Sequence, residues 1–445
     1  MKKILVTVLG LISLASCDVL EPEPQTSLDA NNALVDAASA EGIMLGAYSS
    51  MQSIAYYGAE FVLNNDLYAD NSVFQGFYDS QLEFDQQAVP ITNLWVTDAW
   101  VQMYRVINSA NLLIDGVDNI DDPALDRDLI YGEAHAVRAL VYFDLLRSFG
   151  EFYDTTSQFG LPLLLEPIPD NDFNQIPNLE RSNVSDTYNQ ILTDLNTAIS
   201  LLEGFDDQER MNYWAALALR ARVNLYRMDY QAAFADANRV ITEGPFSLVP
   251  DVADVYFTTD VTSESIFDLE FNDQDQSDFN TYTIRRDEYN VDPDLLVSFE
   301  EGDARADLFV VDRSRDRTAK YLDNTNANNA KVLRLAEMYL IRSEAAVMSS
   351  NDPNAGTDDL NVLRERAGLL PLGVFATMDD YIAAMQQERR AELNFEGHRF
   401  FDLVRYDLTG EVLGLTEDFR KILPIPRNEL QTHPALVQNP GYATE

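Results

Sequence analysis

Apolar residues along this chain fall for the most part at helical spacing. Leu34, Ala38, Ile43 and Ala47 recur near every fourth position and predict a first helix over 32–51. Trp100, Tyr104, Ile107 and Asn111 mark one side of a second over 97–117. A third, 126–149, is apolar nearly all round in the run Ala139-Leu140-Val141-Tyr142-Phe143, as in a buried helix, and Gly150 stops it. The next is predicted over 184–203, with Asn183 or Ser185 as its N-cap. Segments 212–227 and 230–242 read as a tight helical hairpin. Ala215, Ala218 and Ala221 permit close packing, and Asp229-Tyr230 opens the partner helix, as in stacked helical repeats. Late helices are predicted over 331–348, 357–366 and 379–395.

Two stretches break this pattern. Residues 56–94 mix aromatics with Asn, Asp and Gly and show no stable 3.6 period. Residues 245–329 are equally irregular, with a strand-like piece over 265–271. Both are expected to be non-helical excursions from a helical scaffold, and long excursions of this kind usually carry function.

The N-terminus has a different logic. Lys2 and Lys3 precede a short apolar run, 4–15, too short for a transmembrane helix and ending in small residues. Leu14-Ala15-Ser16-Cys17 looks like a lipobox, so residues 1–16 are expected to be a lipoprotein signal peptide and Cys17 the lipidated residue. Residues 17–31, with Pro22 and Pro24 among acids, read as an extended tether. The remainder, 32–445, is long enough for two or three domains or one elaborate one, and a single binding domain is the expectation.

Composition sharpens the picture mainly through charge. The 445 residues include 31 Lys plus Arg against 74 Asp plus Glu, a net charge of −43. Nucleic acid, which needs a positive footprint, is not expected as a partner. Cys17 is the sole cysteine, which excludes an intramolecular disulfide, and the three histidines (His135, His398, His433) lie far apart. No metal site and no cofactor are expected. Asp273, Asp275 and Ser277 begin like a calcium loop, but Asp278 stands where such a loop needs Gly and Ile284 where it needs Glu.

Catalytic signatures are weak. There is no Gly-x-Ser-x-Gly elbow and no phosphate loop. Glu388, Glu392 and Glu396 recur every four residues, whereas paired glycosidase carboxylates must face each other across a substrate. A salt-bridge network with Arg389, Arg390, Arg399 and Arg405 is the expected role. His135, Trp100 and Trp214 sit in periodic helices and are expected in the core.

Several blocks in order carry a resemblance to a known family. After the lipobox come Trp100-x3-Tyr104-x2-Ile107-x2-Ala110-Asn111, then Glu133-x-His135-Ala136-x-Arg138-Ala139-x3-Phe143-x-Leu145-x2-Ser148-Phe149-Gly150 and Leu161-Pro162-Leu163. Arg334 to Ala345 forms another block. The most specific is Glu388-Arg389-Arg390-Ala391-Glu392-Leu393-x-Phe395-Glu396-Gly397-x-Arg399-x2-Asp402-Leu403-x-Arg405, followed by Pro424-Ile425-Pro426-Arg427 and Gln438-Asn439-Pro440-Gly441-Tyr442. Together these resemble the SusD/RagB family of nutrient-binding lipoproteins. The resemblance implies a mainly α fold of tetratricopeptide-like helical pairs with a loop-rich lobe. It implies anchoring at the outer membrane and a SusC-like TonB-dependent transporter as partner. It also implies a glycan or peptide ligand and no catalysis. A surface glycoside hydrolase, or a repeat-type scaffold without a small ligand, is the alternative.

Aromatics on the excursions are the binding candidates, because sugar rings stack on flat side chains while polar neighbours bond the hydroxyls. The first excursion offers Tyr68, Asp70, Asn71, Phe74, Phe77 and Tyr78, with Trp95 just beyond it. The second offers Phe279, Tyr282 and Tyr289.

Overall fold

The computed structural model describes residues 34–168 and 179–444. The expected signal peptide, Cys17 and tether lie outside the described residues.

The helices are α1 (Ala37–Met51), α2 (Glu60–Leu67), α3 (Asp79–Asp85), α4 (Leu94–Gly116), α5 (Arg127–Phe149), α6 (Val184–Leu201), α7 (Tyr213–Tyr226), α8 (Tyr230–Glu243), α9 (Pro293–Val297), α10 (Leu335–Ser350), α11 (Thr357–Arg366), α12 (Met378–Leu393) and α13 (Arg399–Arg405), with shorter turns near the C-terminus. Side chains at their starts explain where several begin. Asp36 and Thr377 form capping boxes on α1 and α12, while Asn93, Asp126, Asn183, Asn212 and Asp229 accept a backbone N–H in the first turns of α4 to α8. Neighbours pack in sequence: α4 on α1, α5 on α4, α6 on α5, α7 on α6, α8 on α7, α10 on α8 and α11 on α10. The mainly α scaffold of helical pairs is therefore as expected.

Helix α5 is the centre of the scaffold, and from Ile130 onward all its residues but Tyr131 are buried. Its polar side chains are bonded inside the core. Glu133 accepts from the Tyr48 hydroxyl at 2.9 Å, Asp194 holds His135 and Arg138, and Asp144 accepts from Tyr56, Tyr57 and Arg147. His135 is thus a packed residue, and Trp100 stacks edge-on against Phe149 in the core. Trp214 departs from expectation: it is half-buried, at the surface beside Tyr213 and Phe246.

Among the described residues six short strands make three antiparallel pairs: β1 (Ser72–Phe74) with β3 (Tyr289–Val291), β2 (Ser265–Leu269) with β6 (Ala330–Arg334), and β4 (Phe309–Asp312) with β5 (Arg315–Thr318). One expectation changes here. The helix expected from 331 starts at Leu335, because Lys331 to Arg334 belong to β6, and Lys331 Nζ meets Asp268 Oδ2 of β2 at 2.6 Å. The partner strand is distant in sequence, so nothing local announces it.

The first excursion is not free of helix: it contains α2 and α3. Helix α2 is buried on nearly every side, Asn64, Asn65 and Asp66 included, so it has no amphipathic period to detect. Asp66 accepts from the N–H groups of Phe395 and Gly397, each at 2.9 Å. Gly397 has φ +76, and a Cβ there would lie 3.2 Å from Val62 Cα, so this turn needs glycine to approach α2.

Candidate ligand-binding site

Most of the aromatics expected to face a ligand instead fix the excursions to the scaffold. Tyr68, Phe74, Trp95, Phe279, Tyr282 and Tyr289 are all buried. Tyr68 sits edge-on between Phe84 and Phe400, and Trp95 Nε1 donates to the Ala55 carbonyl at 3.0 Å. Phe279 stacks on Tyr321 with centroids 4.2 Å apart, Phe74 packs on Tyr289, and the Tyr289 hydroxyl donates to Asn64. The Tyr282 hydroxyl bonds Glu60, whose carboxyl burial pushes up to about 7 despite that bond. Asn71 is buried and donates to Asp66. These groups present no face to a ligand. Phe77 and Tyr78 do, at 92% and 51% exposure.

Asp70 is held from the side, not aimed at solvent. Arg399 grips it in a fork, Nε at 2.7 Å and Nη2 at 2.9 Å, and Arg390 adds a contact at 3.1 Å. Burial alone would raise the Asp70 carboxyl, but these arginines outweigh it and hold it below its ordinary range. We expect Arg399→Ala to lower the denaturation midpoint by an amount worth about 2–4 kcal/mol, leaving a half-buried carboxylate underpaired, with glycan affinity unchanged. Lost affinity at an unchanged midpoint would assign Arg399 to binding instead.

The three glutamates at four-residue spacing lie in a buried network, but their partners differ from those expected. Glu388 binds Arg305 and Arg364; Glu392 binds Arg305, Arg334 and Arg366; Glu396 binds Arg334 and Lys320. Of the motif arginines, Arg389 instead pairs with Asp402, Arg405 bridges Glu344 and Asp402, and Arg390 and Arg399 hold Asp70. Glu396 lies beyond the end of α12, after the Phe395 turn at φ 57. Burial opposes ionisation of Glu392, yet three surrounding guanidiniums prevail and keep its carboxyl well below the usual range. None of these carboxylates is placed as a proton donor facing a partner.

This network supports a cleft that sequence reasoning missed. Tyr256, Phe257, Thr258, Thr259, Leu322 and Asp323 line a space of about 300 Å³ in the irregular lobe. Tyr256 forms its buried wall: its hydroxyl donates to Glu396 Oε1 at 2.7 Å, and Lys320 Nζ lies 4.6 Å from its ring centroid. Burial lowers the Lys320 pKa, partly countered by Glu396. Phe257 and Leu322 are exposed apolar surfaces at 56% and 39%. Asn329 Nδ2 fixes the rim by donating to the Thr259 carbonyl at 3.0 Å. Asp323 accepts from the Thr325 hydroxyl at 2.6 Å and the Ala327 N–H at 2.7 Å. Burial raises it, but these bonds together hold it below its ordinary range, so it stays an acceptor.

An exposed ring, two threonine hydroxyls and a fixed carboxylate suit a ligand with apolar C–H faces and many hydroxyls. A rigid buried network behind the wall keeps them in place. The sequence did carry one signal, an aromatic pair followed by two hydroxyl residues within the second excursion.

Two family profiles match the chain, one described as the SusD family over residues 301–418 and one as starch-binding associating with outer membrane over residues 18–225. The chain belongs to the SusD/RagB family. SusD-like protein P25 of Formosa agariphila is 24% identical, with 99% of each chain covered. A SusD-like protein of Bacteroides ovatus is also 24% identical, over 70% of this chain and 65% of that one. Among solved structures, a SusD superfamily protein of Bacteroides thetaiotaomicron superposes with a TM-score of 0.80 at 24% identity, covering 91% of this chain and all of the other. A protein described as a laminarin-binding SusD-like protein gives 0.78 at 24%, with 92% and 100% covered. The SusD-like fold is thus shared across nearly the whole described chain. Among the described residues no helix is long and apolar enough to cross a membrane.

Proposed function

We propose that this chain is a cell-surface lipoprotein, anchored in the outer membrane through Cys17, that binds an oligosaccharide and passes it to a SusC-like TonB-dependent transporter. Residues 1–16 are the leader, 17–31 the tether, and 32–445 act as one binding unit. The observation that carries the reading is the Phe257 cleft, an exposed ring beside Thr258, Thr259 and Asp323 on a rigid wall. Family membership supports it, as does the profile description that pairs starch binding with the outer membrane. Binding by stacking and hydroxyl bonds calls for neither a cofactor nor a catalytic pair, and the glutamates that suggested a glycosidase are committed to arginines.

The test is calorimetric titration of the soluble chain lacking residues 1–17 against glycan oligosaccharides and peptides, with chromatography of the ligand afterwards. Saturable binding of one glycan class, with the ligand recovered intact, is the expected result. Ligand recovered as shorter products would replace the reading with a hydrolase. Peptide binding in place of glycan would move the substrate class.

A further inference from the structure

The cations of this chain are unevenly placed. Arg222, Arg305, Arg334, Arg389 and Lys320 are buried on carboxylates. Among the described residues the exposed cations are Arg105, Arg239, Arg285, Arg286, Arg313 and Arg315, and the last four share one patch. Arg285 ends the turn of π-helix at Thr281–Arg285, and Arg286 follows it. Arg313 and Arg315 lie at the tip of the β4–β5 hairpin, where Arg313 and Ser314 both take positive φ, 51 and 67. Contacts join the two segments. Arg313 Nη1 donates to the Arg285 carbonyl at 3.4 Å, and Arg315 Nη1 meets Asp287 Oδ2 at 3.0 Å.

Four carboxylates flank the four arginines, and Asp287 is shared. Asp287 also serves the buried Arg317 at 2.7 Å; Asp312 lies 3.6 Å from Arg313, and Glu288 is 3.9 Å from Arg286. Asp316 is half-buried on the same hairpin. Arg285 makes no ion pair among the described residues; its guanidinium donates to the Asn324 carbonyl. On a chain of net charge −43, this is a place where the negative excess disappears.

Two exposed rings, Phe77 and Tyr78, lie on the segment that follows β1, the partner of the strand that Arg285 and Arg286 precede. The Gln75 N–H donates to the Glu288 carbonyl at 2.8 Å, one step past the last β1–β3 pair, Phe74 with Tyr289. The two segments therefore leave the ladder side by side. One leads to Phe77 and Tyr78, the other to Arg286 and Arg285. On the other side, Asn324 adjoins Asp323 of the cleft, so Arg285 is held at the residue next to the cleft's carboxylate.

We infer that Arg285, Arg286, Arg313 and Arg315, with Phe77 and Tyr78, form a subsite for the anionic substituents of a sulfated or uronate-bearing glycan. A guanidinium fork matches the paired oxygens of sulfate or carboxylate, and a flat ring takes the apolar face of the sugar that bears them. A neutral glycan would gain only hydroxyl hydrogen bonds from these guanidiniums, whereas sulfate or carboxylate also gains the attraction of opposite charge. The inference rests on the carbohydrate-binding reading and narrows its ligand class.

The experiment uses matched probes: laminarin with chemically sulfated laminarin, agarose oligosaccharides with carrageenan oligosaccharides, and alginate oligosaccharides with their carboxyl-reduced forms. Each is titrated into the soluble chain and into a variant carrying Arg285→Gln, Arg286→Gln, Arg313→Gln and Arg315→Gln. The expected result is at least tenfold tighter binding of the charged member of a pair, lost in the variant while its melting temperature and its affinity for the neutral member hold. The pair that responds separates sulfate from uronate recognition. A Phe77→Ala, Tyr78→Ala variant, which leaves every ion pair intact, is expected to weaken both members of that pair. Neutral members bound equally well, with the arginine variant indistinguishable from the parent, would overturn the subsite and leave carbohydrate binding standing. Failure of every glycan to bind the parent chain would overturn both. An arginine variant that also loses neutral binding at an unchanged melting temperature would make the patch a general glycan contact and refute the anionic assignment.

Discussion

Arg334→Ala is expected to lower unfolding free energy by about 3–5 kcal/mol, the range for removing one partner from a buried ionic cluster. Arg334 is buried at the end of β6 and bonds three carboxylates at once: Glu264 at 2.9 Å, Glu392 at 2.7 Å and Glu396 at 2.7 Å. It also donates to the Glu392 backbone carbonyl at 2.8 Å, tying the end of α12 to the β2–β6 pair. Removing it leaves Glu264 with Arg366, Glu396 with Lys320, and Glu392 with Arg305 and Arg366, while Arg305 is also claimed by Asp303 and Glu388 and Glu388 by Arg364, so five buried carboxylates outweigh four remaining cations. Arg334→Lys keeps the charge but not the fork, and is expected to recover less than half of the loss. Urea denaturation of both variants checks this, with the exposed Arg105→Ala as a control within about 0.5 kcal/mol of the parent. Adding Glu396→Gln to Arg334→Ala should cost less than the sum of the two single changes, because the second change removes a charge that the first left unpaired. A midpoint unchanged in Arg334→Ala would mean the cluster is neutral to stability.

The scaffold was legible because its helices obey local rules. The 357–366 helix is found at its expected bounds, and 126–149 and 184–203 differ by at most two residues at either end, since caps such as Asp126 and Asn183 are written beside the periodic runs they start. Helix α2 was hidden for the opposite reason: a helix buried on all faces has no polar side, and its Asn and Asp residues look like loop until Asn71, Phe395 and Tyr289 are seen to bond them. Strand β6 was read as helix because its pairing partner lies more than sixty residues earlier. The binding surface was the least legible part. Tyr68, Trp95 and Tyr289 have the composition of ligand contacts, but a ring that pins a loop and a ring that stacks on sugar are the same residue type in the same kind of segment. Exposure separates them, and exposure is decided by contacts between distant segments, as between Phe279 and Tyr321. The motif arginines were expected to neutralise the three glutamates, and none of the four does: Arg305, Arg334 and Arg366 reach the glutamates instead, which spacing alone does not announce.

Truncating the exposed walls of the cleft is expected to have the largest effect on ligand affinity. In Phe257→Ala with Leu322→Ala, the stacking ring and the opposing apolar side chain are both lost, and affinity for the bound glycan should fall by about tenfold to a hundredfold, at about 1.4 kcal/mol per factor of ten. Stability should scarcely move, because both side chains are solvent-exposed and neither takes part in the network behind Tyr256. Asp323→Asn separates the polar contribution. The amide oxygen still accepts from Ala327, while the charged acceptor for a sugar hydroxyl is lost, so a smaller loss of affinity is expected. Tyr256→Phe probes the wall itself: it deletes the bond to Glu396, and is expected to cost stability first and affinity only through a looser cleft. Calorimetry on the three variants, with melting curves beside it, sorts these outcomes. Full affinity in the Phe257, Leu322 double variant would remove the cleft from the binding surface and leave the exposed rings of Phe77 and Tyr78 as the place where the glycan is held.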